Sequence, residues 1–335
     1  MNTDAIISKN YEFISEDKNQ LLNESTIFLD FSPKYNLLLL LSSHNSLYIC
    51  EIIGNSIKIK NKFESIVDNR IKINKSYFCN EEPNLILLFC DNYNIIEWNV
   101  EREYISHIYY DILGDIYEFK MNYQKNSELK TDIKNFCILK DGEINVWNTM
   151  AFNKKNVLNI KDVKCFCYDS AGLLLFYIYK SSIKYNIKVI KFVDEYECKE
   201  LYNKGINCFD SKTNIDYINS FDVNIIMSDT KLGKIYIFKN HPINVLEFQI
   251  NINNNSQIYF PLVGKNPIFE FRLLCLNINE NEQKIITFNY KSKKPSMEKI
   301  KLSINNLTYF KESICKKGFF LVFDDIKKEL KEYQI

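Results

Sequence analysis

Glycine and proline are scarce in this chain, 8 and 6 in 335 residues, so its turns must be built mainly from Asn, Asp and Ser. Tryptophan occurs twice and histidine three times, and the only arginines are Arg70, Arg102 and Arg272. Three guanidinium groups leave few donors for bidentate recognition of phosphate or carboxylate. Neither sign of charge dominates: 43 Lys and Arg against 42 Asp and Glu give a net charge of +1 and no global field to attract a polyanion. Nucleic acid is therefore not the favoured partner. The longest uncharged apolar run, Ala171 to Tyr179, is about half of what a membrane span needs, so no transmembrane segment is expected. The opening "MNTDAIISKNYEFISEDKNQ" lacks the basic, apolar and small-residue succession of a secretory signal. That points to a reducing compartment, cytoplasmic or nuclear, in which the 10 cysteines stay free.

Motifs for chemistry are missing as well. There is no Gly-x-Ser-x-Gly elbow, His-Glu-x-x-His, phosphate-cradling glycine loop or dinucleotide fingerprint. His44, His107 and His241 lie far apart, and none has a second ligand at metal spacing. No Cys-x-x-Cys pair occurs, and Cys165 and Cys167 in "VKCFCYD" share one face of a strand, as small buried hydrophobes do. The acid pairs Glu81-Glu82 and Asp324-Asp325 would point to opposite faces of a strand and read as solvated surface. These absences predict a protein that is not an enzyme and carries neither metal nor cofactor.

What the chain does have is apolar and aromatic material, 46% and 14% of its residues, enough for a large core. Asn, Ile and Lys make up roughly two-fifths of it, so Asn-rich loops such as "NINNNS" carry little functional meaning. The apolar residues fall in short Ile-, Val-, Phe- and Tyr-rich runs broken by turns, which favours strands over helices. One run recurs: a polar turn followed by an alternating strand. It appears as "SSHNSLYICEI" at Cys50, "CDNYNIIEWNV" at Trp98, "KDGEINVWNT" at Trp147, "KYNIKVIKF" at Ile190 and "KLGKIYIFKN" at Phe238. The markers are separated by roughly 48, 49, 43 and 48 positions, the period of a propeller blade. Ahead of several markers stands a second strand too apolar to face water, as in "TIFLDFSPKYNLLLLLSS" and "NEEPNLILLFC", which fits a strand buried between stacked blades.

With Phe31-Ser32-Pro33 between the first two strands, and Asp141-Gly142 followed by Trp147-Asn148, the chain resembles the WD-repeat family. The motifs are degenerate: there is no Gly-His dipeptide, and both Trp residues are followed by Asn, so the family's Asp-His-Ser/Thr-Trp network has to be replaced by apolar packing. The expected fold is all-β, a single seven-bladed WD40-like β-propeller over residues 1–335, with six blades as the alternative count. Blades are expected near 26–61, 71–110, 112–161, 162–202, 205–250, 257–304 and 305–335, the last closed by an N-terminal strand near 10–16. "DDIKKELKE" also reads as a short terminal helix.

The resemblance implies a non-catalytic scaffold or adaptor that binds other proteins as a subunit of a larger complex, in nuclear RNA processing or export, ribosome assembly or a ubiquitin ligase. Cullin-ligase receptors carry Trp-Asp-x-Arg after the marker; "WNVER" offers Asn99 and Arg102, with the arginine one residue too far. Phosphoinositide-binding propellers carry Phe-Arg-Arg-Gly, against which "FEFRLL" around Arg272 is a poor match. An alternative ligand site is the basic stretch 291–301, where Lys291, Lys293 and Lys294 would meet nucleic acid or a phosphoinositide in a salt-dependent way.

Overall fold

The computed structural model describes residues 3–4, 6–32, 35–79, 82–92, 94–109, 118–125, 132–140, 142–148, 156–168, 174–181, 184–192, 198–206, 213–215, 217–221, 224–229, 232, 234–239, 244–249, 256–262, 270–277, 282–289, 295–301, 309–312 and 319–334. The chain divides into two compact units, Met1–Gly114 with Lys299–Ile335, and Asp115–Glu298.

Strands dominate both units. The chain opens with β1 (Thr3–Asp4), β2 (Ile6–Phe13) and a short helix α1 (Ser15–Leu22). Strands β3 (Thr26–Ser32), β4 (Leu37–Ser42), β5 (Leu47–Ile53) and β6 (Ser56–Phe63) form an antiparallel meander. A second is made by β7 (Ile73–Cys79), β8 (Glu82–Cys90), β9 (Ile95–Asn99) and β10 (Tyr104–Tyr109). In the other unit, β11 (Glu118–Lys125), β12 (Asp132–Lys140), β13 (Glu143–Asn148) and β14 (Asn156–Ile160) repeat the arrangement. So do β15 (Val163–Tyr168), β16 (Leu174–Ser181), β17 (Lys184–Phe192) and β18 (Cys198–Gly205). The pattern recurs in β19 (Tyr217–Phe221), β20 (Asn224–Asp229), β21 (Lys234–Lys239) and β22 (Asn244–Gln249).

Strands β23 (Ser256–Leu262), β24 (Glu270–Asn277), β25 (Glu282–Asn289) and β26 (Pro295–Lys301) follow one another in one sheet, with β1 parallel to the end of β26. Last come β27 (Tyr309–Glu312), β28 (Phe319–Asp324) and β29 (Glu329–Gln334), and β2 completes their sheet by pairing antiparallel with β29. "DDIKKELKE" is therefore not a helix: Asp324 Oδ1 accepts the Ile326 and Lys327 N–H groups, closing a tight turn between β28 and β29. The marker residues Cys50, Trp98, Trp147, Ile190 and Phe238 all sit on the third strand of their set, β5, β9, β13, β17 and β21.

The second strands explain how the sets pack. Every residue of β4 is buried, and its side chains divide by the two-residue strand period. Leu37, Leu39 and Leu41 join a cluster with Ile86, Leu88 and Trp98. Leu38 and Leu40 join another with Tyr11, Phe13, Phe323 and Leu330. An inner strand covered on both faces has no solvent side to keep polar, and this is why "LLLLL" is a strand here. The same division occurs in β16, where Leu175 and Tyr177 pack with Ile144 and Val146 while Phe176 and Ile178 pack with Ile225 and Met227. Glycine is needed at Gly142, whose φ of +79° closes the β12–β13 turn and whose carbonyl lies against Val163.

Candidate partner-binding surface

A repeated set of hydrogen bonds joins the turn between second and third strands to the segment that leads into a first strand. Ser43 N–H donates to Ser25 O at 2.8 Å and Asp91 N–H to Lys72 O at 2.8 Å, and near the end of β16 the strand residue Lys180 donates its N–H to Asp162 O at 3.3 Å. A side chain doubles one of these bonds, Asp91 Oδ1 accepting the Lys72 N–H at 3.0 Å, and Asp229 Oδ2 at the end of β20 accepts the Asn214 N–H at 2.6 Å.

The same turns also reach the neighbouring set. Asn45 Oδ1 accepts from Ile73 N at 2.9 Å, Gly142 O from Val163 N at 2.6 Å and Asp325 Oδ1 from Thr26 N at 3.2 Å. Ile73, Val163 and Thr26 are each the first residue of an inner strand, so one donor is satisfied in the same place three times. These contacts escaped sequence reading. Their only local signal is an Asn, Asp or Gly in a hairpin turn, which does not reveal a partner up to 299 positions away.

One such junction gathers several charges. Lys328, with 3% of its side chain exposed, donates to Glu24 O at 2.8 Å and to Asp325 Oδ1 at 2.5 Å. The Asp324-Asp325 pair, expected on solvated surface, is thus built into a turn and an ion pair, with Asp324 3% exposed. Beside it, Glu24 accepts from the Tyr48 hydroxyl at 2.7 Å and lies 3.7 Å from Lys62 Nζ. Burial pushes the Glu24 carboxyl up, but hydrogen bonds from Ser42, Tyr48 and Ser46 and the charge of Lys62 outweigh it and hold it below its ordinary value of 4.5. Burial, and then Glu24, push the Tyr48 hydroxyl up to about 12.

Because its folded-state pKa is depressed, Glu24 contributes stability that is present above pH 4.5 and is lost as pH falls through the lower folded value. Glu24→Gln should therefore be less stable than the parent near neutral pH, and the gap should narrow as the pH falls below 4.5 in urea titrations. A gap that stays constant with pH would remove Glu24 from this account.

A second polar cluster lies across β9 and β10. Glu97 is buried, accepting the Ser106 hydroxyl on Oε1 at 2.5 Å and the Tyr109 hydroxyl on Oε2 at 2.9 Å. Burial and the Glu97 carboxylate push the Tyr109 hydroxyl far above its usual range. On the other side of β9, Trp98 packs edge-on to Phe63 with ring centroids 6.1 Å apart, and its buried Nε1 has no hydrogen-bond partner among the described residues.

The sequence candidates Asn99 and Arg102 meet in the β9–β10 turn. Asn99 Oδ1 accepts the Arg102 backbone N–H at 2.9 Å, so this amide oxygen shapes the turn. The Arg102 side chain is exposed, next to exposed Glu101 and Glu103 and to Tyr104 and Ile105, which are 43% and 39% exposed. Lys291, Lys293 and Lys294 lie outside the described residues, as do His241, Asp141 and Glu81.

His44 is exposed near Ser43, and His107 stacks edge-on with Tyr109 at 4.6 Å. Among the described residues no three His, Cys, Asp or Glu side chains are grouped to hold a metal ion. Cys50, Cys90, Cys165 and Cys167 are buried, and Cys79 is partly exposed. Burial, then Asp91, pushes the Cys90 thiol up to about 12, which makes it a poor nucleophile near neutral pH. No helix among the described residues is long and apolar enough to cross a membrane.

No family model matches the sequence, and no curated protein matches it. The structure, however, is similar to solved ones. A chain of the crystal structure of a mitotic checkpoint complex matches at a TM-score of 0.60 and 10% identity, covering 100% of this chain and 96% of that one. The β-propeller domain of Myceliophteria thermophila Cps50 (Swd1) matches at 0.59 and 9%, covering 100% and 99%. The fold is a WD40-like β-propeller. KlHsv2, with its loop 6CD replaced by a Gly-Ser linker, is a third such structure, at 0.59 and 11%, covering 90% of this chain and 89% of that one. At these identities what is shared is the propeller fold. Within it the four-strand set is the blade, the leucine-rich strand is its second strand, and the Trp, Cys, Ile or Phe marker is on its third.

Proposed function

We propose that the protein is a non-catalytic scaffold, a single propeller of seven blades that binds other proteins as a subunit of a larger assembly in the cytoplasm or nucleus. The observation that carries this reading is where the polar groups are used. Asn45, Asp91, Asp229, Asp325 and Lys328, the turn residues best suited to chemistry, are committed to holding blade turns and first strands in place. What is left outward is a surface of side chains such as Arg102, Tyr104 and Ile105 on a rigid frame. Arg102 would act there as an anchor and Asn99 as the residue that sets its turn. The similar chain in a mitotic checkpoint complex supports the assembly role. Nuclear RNA processing or export, ribosome assembly and ubiquitin ligation are the processes this reading admits.

Affinity purification of the tagged protein from its native cells, at moderate salt and with nuclease, tests it. A stoichiometric set of proteins that survives nuclease is the expected result. Recovery of nuclease-sensitive material alone would overturn it in favour of a nucleic-acid ligand at Lys291, Lys293 and Lys294.

A further inference from the structure

The outer strands of the blades are not alike. Each exposes, on the side away from its sheet, a row of backbone N–H and C=O groups that can template another strand. Four of them carry a one-residue irregularity against their neighbour: β6 opposite Ile49 and Cys50, β10 between Ile105 and His107, β14 opposite Val146 and Trp147, and β18 opposite Val189 and Ile190. Such bulges twist an edge and spoil it as a template.

Two outer edges are covered at one end by the chain itself. Strand β2 adds parallel to β6, with Glu12 N–H donating to Asn55 O and Ile14 N–H to Ile57 O, both at 3.1 Å, and Asp17 Oδ2 accepts the Ile59 N–H at 2.7 Å. Strand β1 adds parallel to the end of β26.

Strand β22 has neither protection. All six of its residues pair in unbroken register with β21, from Asn244 opposite Lys239 to Gln249 opposite Lys234. It is the last strand of its sheet, and no strand of the described residues adds to it. Its sequence, "NVLEFQ", carries one charge in six residues, at Glu247, and no proline. A straight, weakly charged edge of that length, about 20 Å, is what other edges of the protein are built to avoid.

We propose that the outer edge of β22 is a docking site for an extended segment of a partner protein, which adds to the blade as a fifth strand. This rests on the scaffold reading and specifies one of its surfaces. The segment runs parallel to β22, as β1 and β2 do on the edges they cover. A second copy of the chain related by a two-fold axis would have to pair β22 antiparallel, so the orientation already seen favours a different protein. About six residues of the segment pair, alternate ones share a face, and proline is excluded from the positions that donate.

A displayed library of random twelve-residue peptides, selected on the full-length protein, tests this. Expected binders are proline-free in the middle and rich in β-branched and aromatic residues, and they slow hydrogen exchange at alternate amides of 244–249. Insertion of one glycine between Leu246 and Glu247 gives β22 the bulge that the other outer strands carry. That variant should unfold at nearly the same temperature and bind at least about ten-fold more weakly. Recovery of no binder, protection on any other element, or equal binding by the insertion variant would overturn the proposal. So would a dimer of the free protein that the insertion dissolves, because the edge would then belong to a second copy. If native purification still yields stable protein partners while β22 stays unprotected in that complex, the edge is wrong and the scaffold stands.

Discussion

Lys328→Met is expected to destabilise the protein by about 3 kcal/mol, because removing one member of a buried ion pair leaves the other charge and its acceptors without compensation. The Lys328 ammonium is held by Glu24 O at 2.8 Å and Asp325 Oδ1 at 2.5 Å, and the same Asp325 oxygen accepts the Thr26 N–H. Losing the ammonium leaves Glu24 O without this donor and Asp325 carrying an unbalanced charge, 18% exposed. Lys328 also sits at φ +51°, so the turn presents this side chain inward at some backbone cost. Urea unfolding followed by circular dichroism measures the effect. Asp325→Asn should cost less than Lys328→Met, and the double variant less than the sum, since both break one pair. A Lys328→Met variant within about 0.5 kcal/mol of the parent would mean that the junction is surface ornament.

Phe238→Ala is the second large effect, about 3–5 kcal/mol, from lost burial and the cavity left behind. The ring is 1% exposed, on the third strand of its blade, in a cluster with Phe176, Ile178, Ile225 and Met227. Six strands contribute buried residues to that cluster, so collapse around the cavity would have to move several of them. As a control, Leu201→Ala removes a side chain that is 49% exposed at the irregularity of β18, and should stay within about 0.5 kcal/mol of the parent. Equal costs for the two substitutions would contradict the placement of the core.

The strands were legible because burial imposes a period on the sequence. The leucines of β4 and the apolar run of β16 had to be inner strands, and the five markers recur at blade spacing because each third strand meets the same environment. The runs "FEFRLLCLNINENEQKIITFNY" and "GFFLVFDD" also form strands, β24 with β25 and β28. What could not be read is whatever depends on a distant partner. Asp325 looks like half of a surface acid pair until Lys328 and Thr26 are placed beside it. Asp17 is one more charged residue of "SEDKNQLL" until its carboxylate is seen on the edge of β6. Of the candidate site, the sequence singled out Asn99 and Arg102 by motif spacing, but not that the Asn99 side chain holds the Arg102 backbone. The exposure of Tyr104 and Ile105 is a property of the blade edge and has no local signature.

A scaffold works as part of an assembly, and the measurement that tests this most directly is the protein's native mass. Cells expressing the protein at its natural level are lysed gently, treated with nuclease and run on a sizing column calibrated for mass. The predicted result is elution well above the position of a single 335-residue chain, with little or no free pool. Elution as a monomer, unchanged by gentler lysis or by omission of the nuclease, would contradict the central claim.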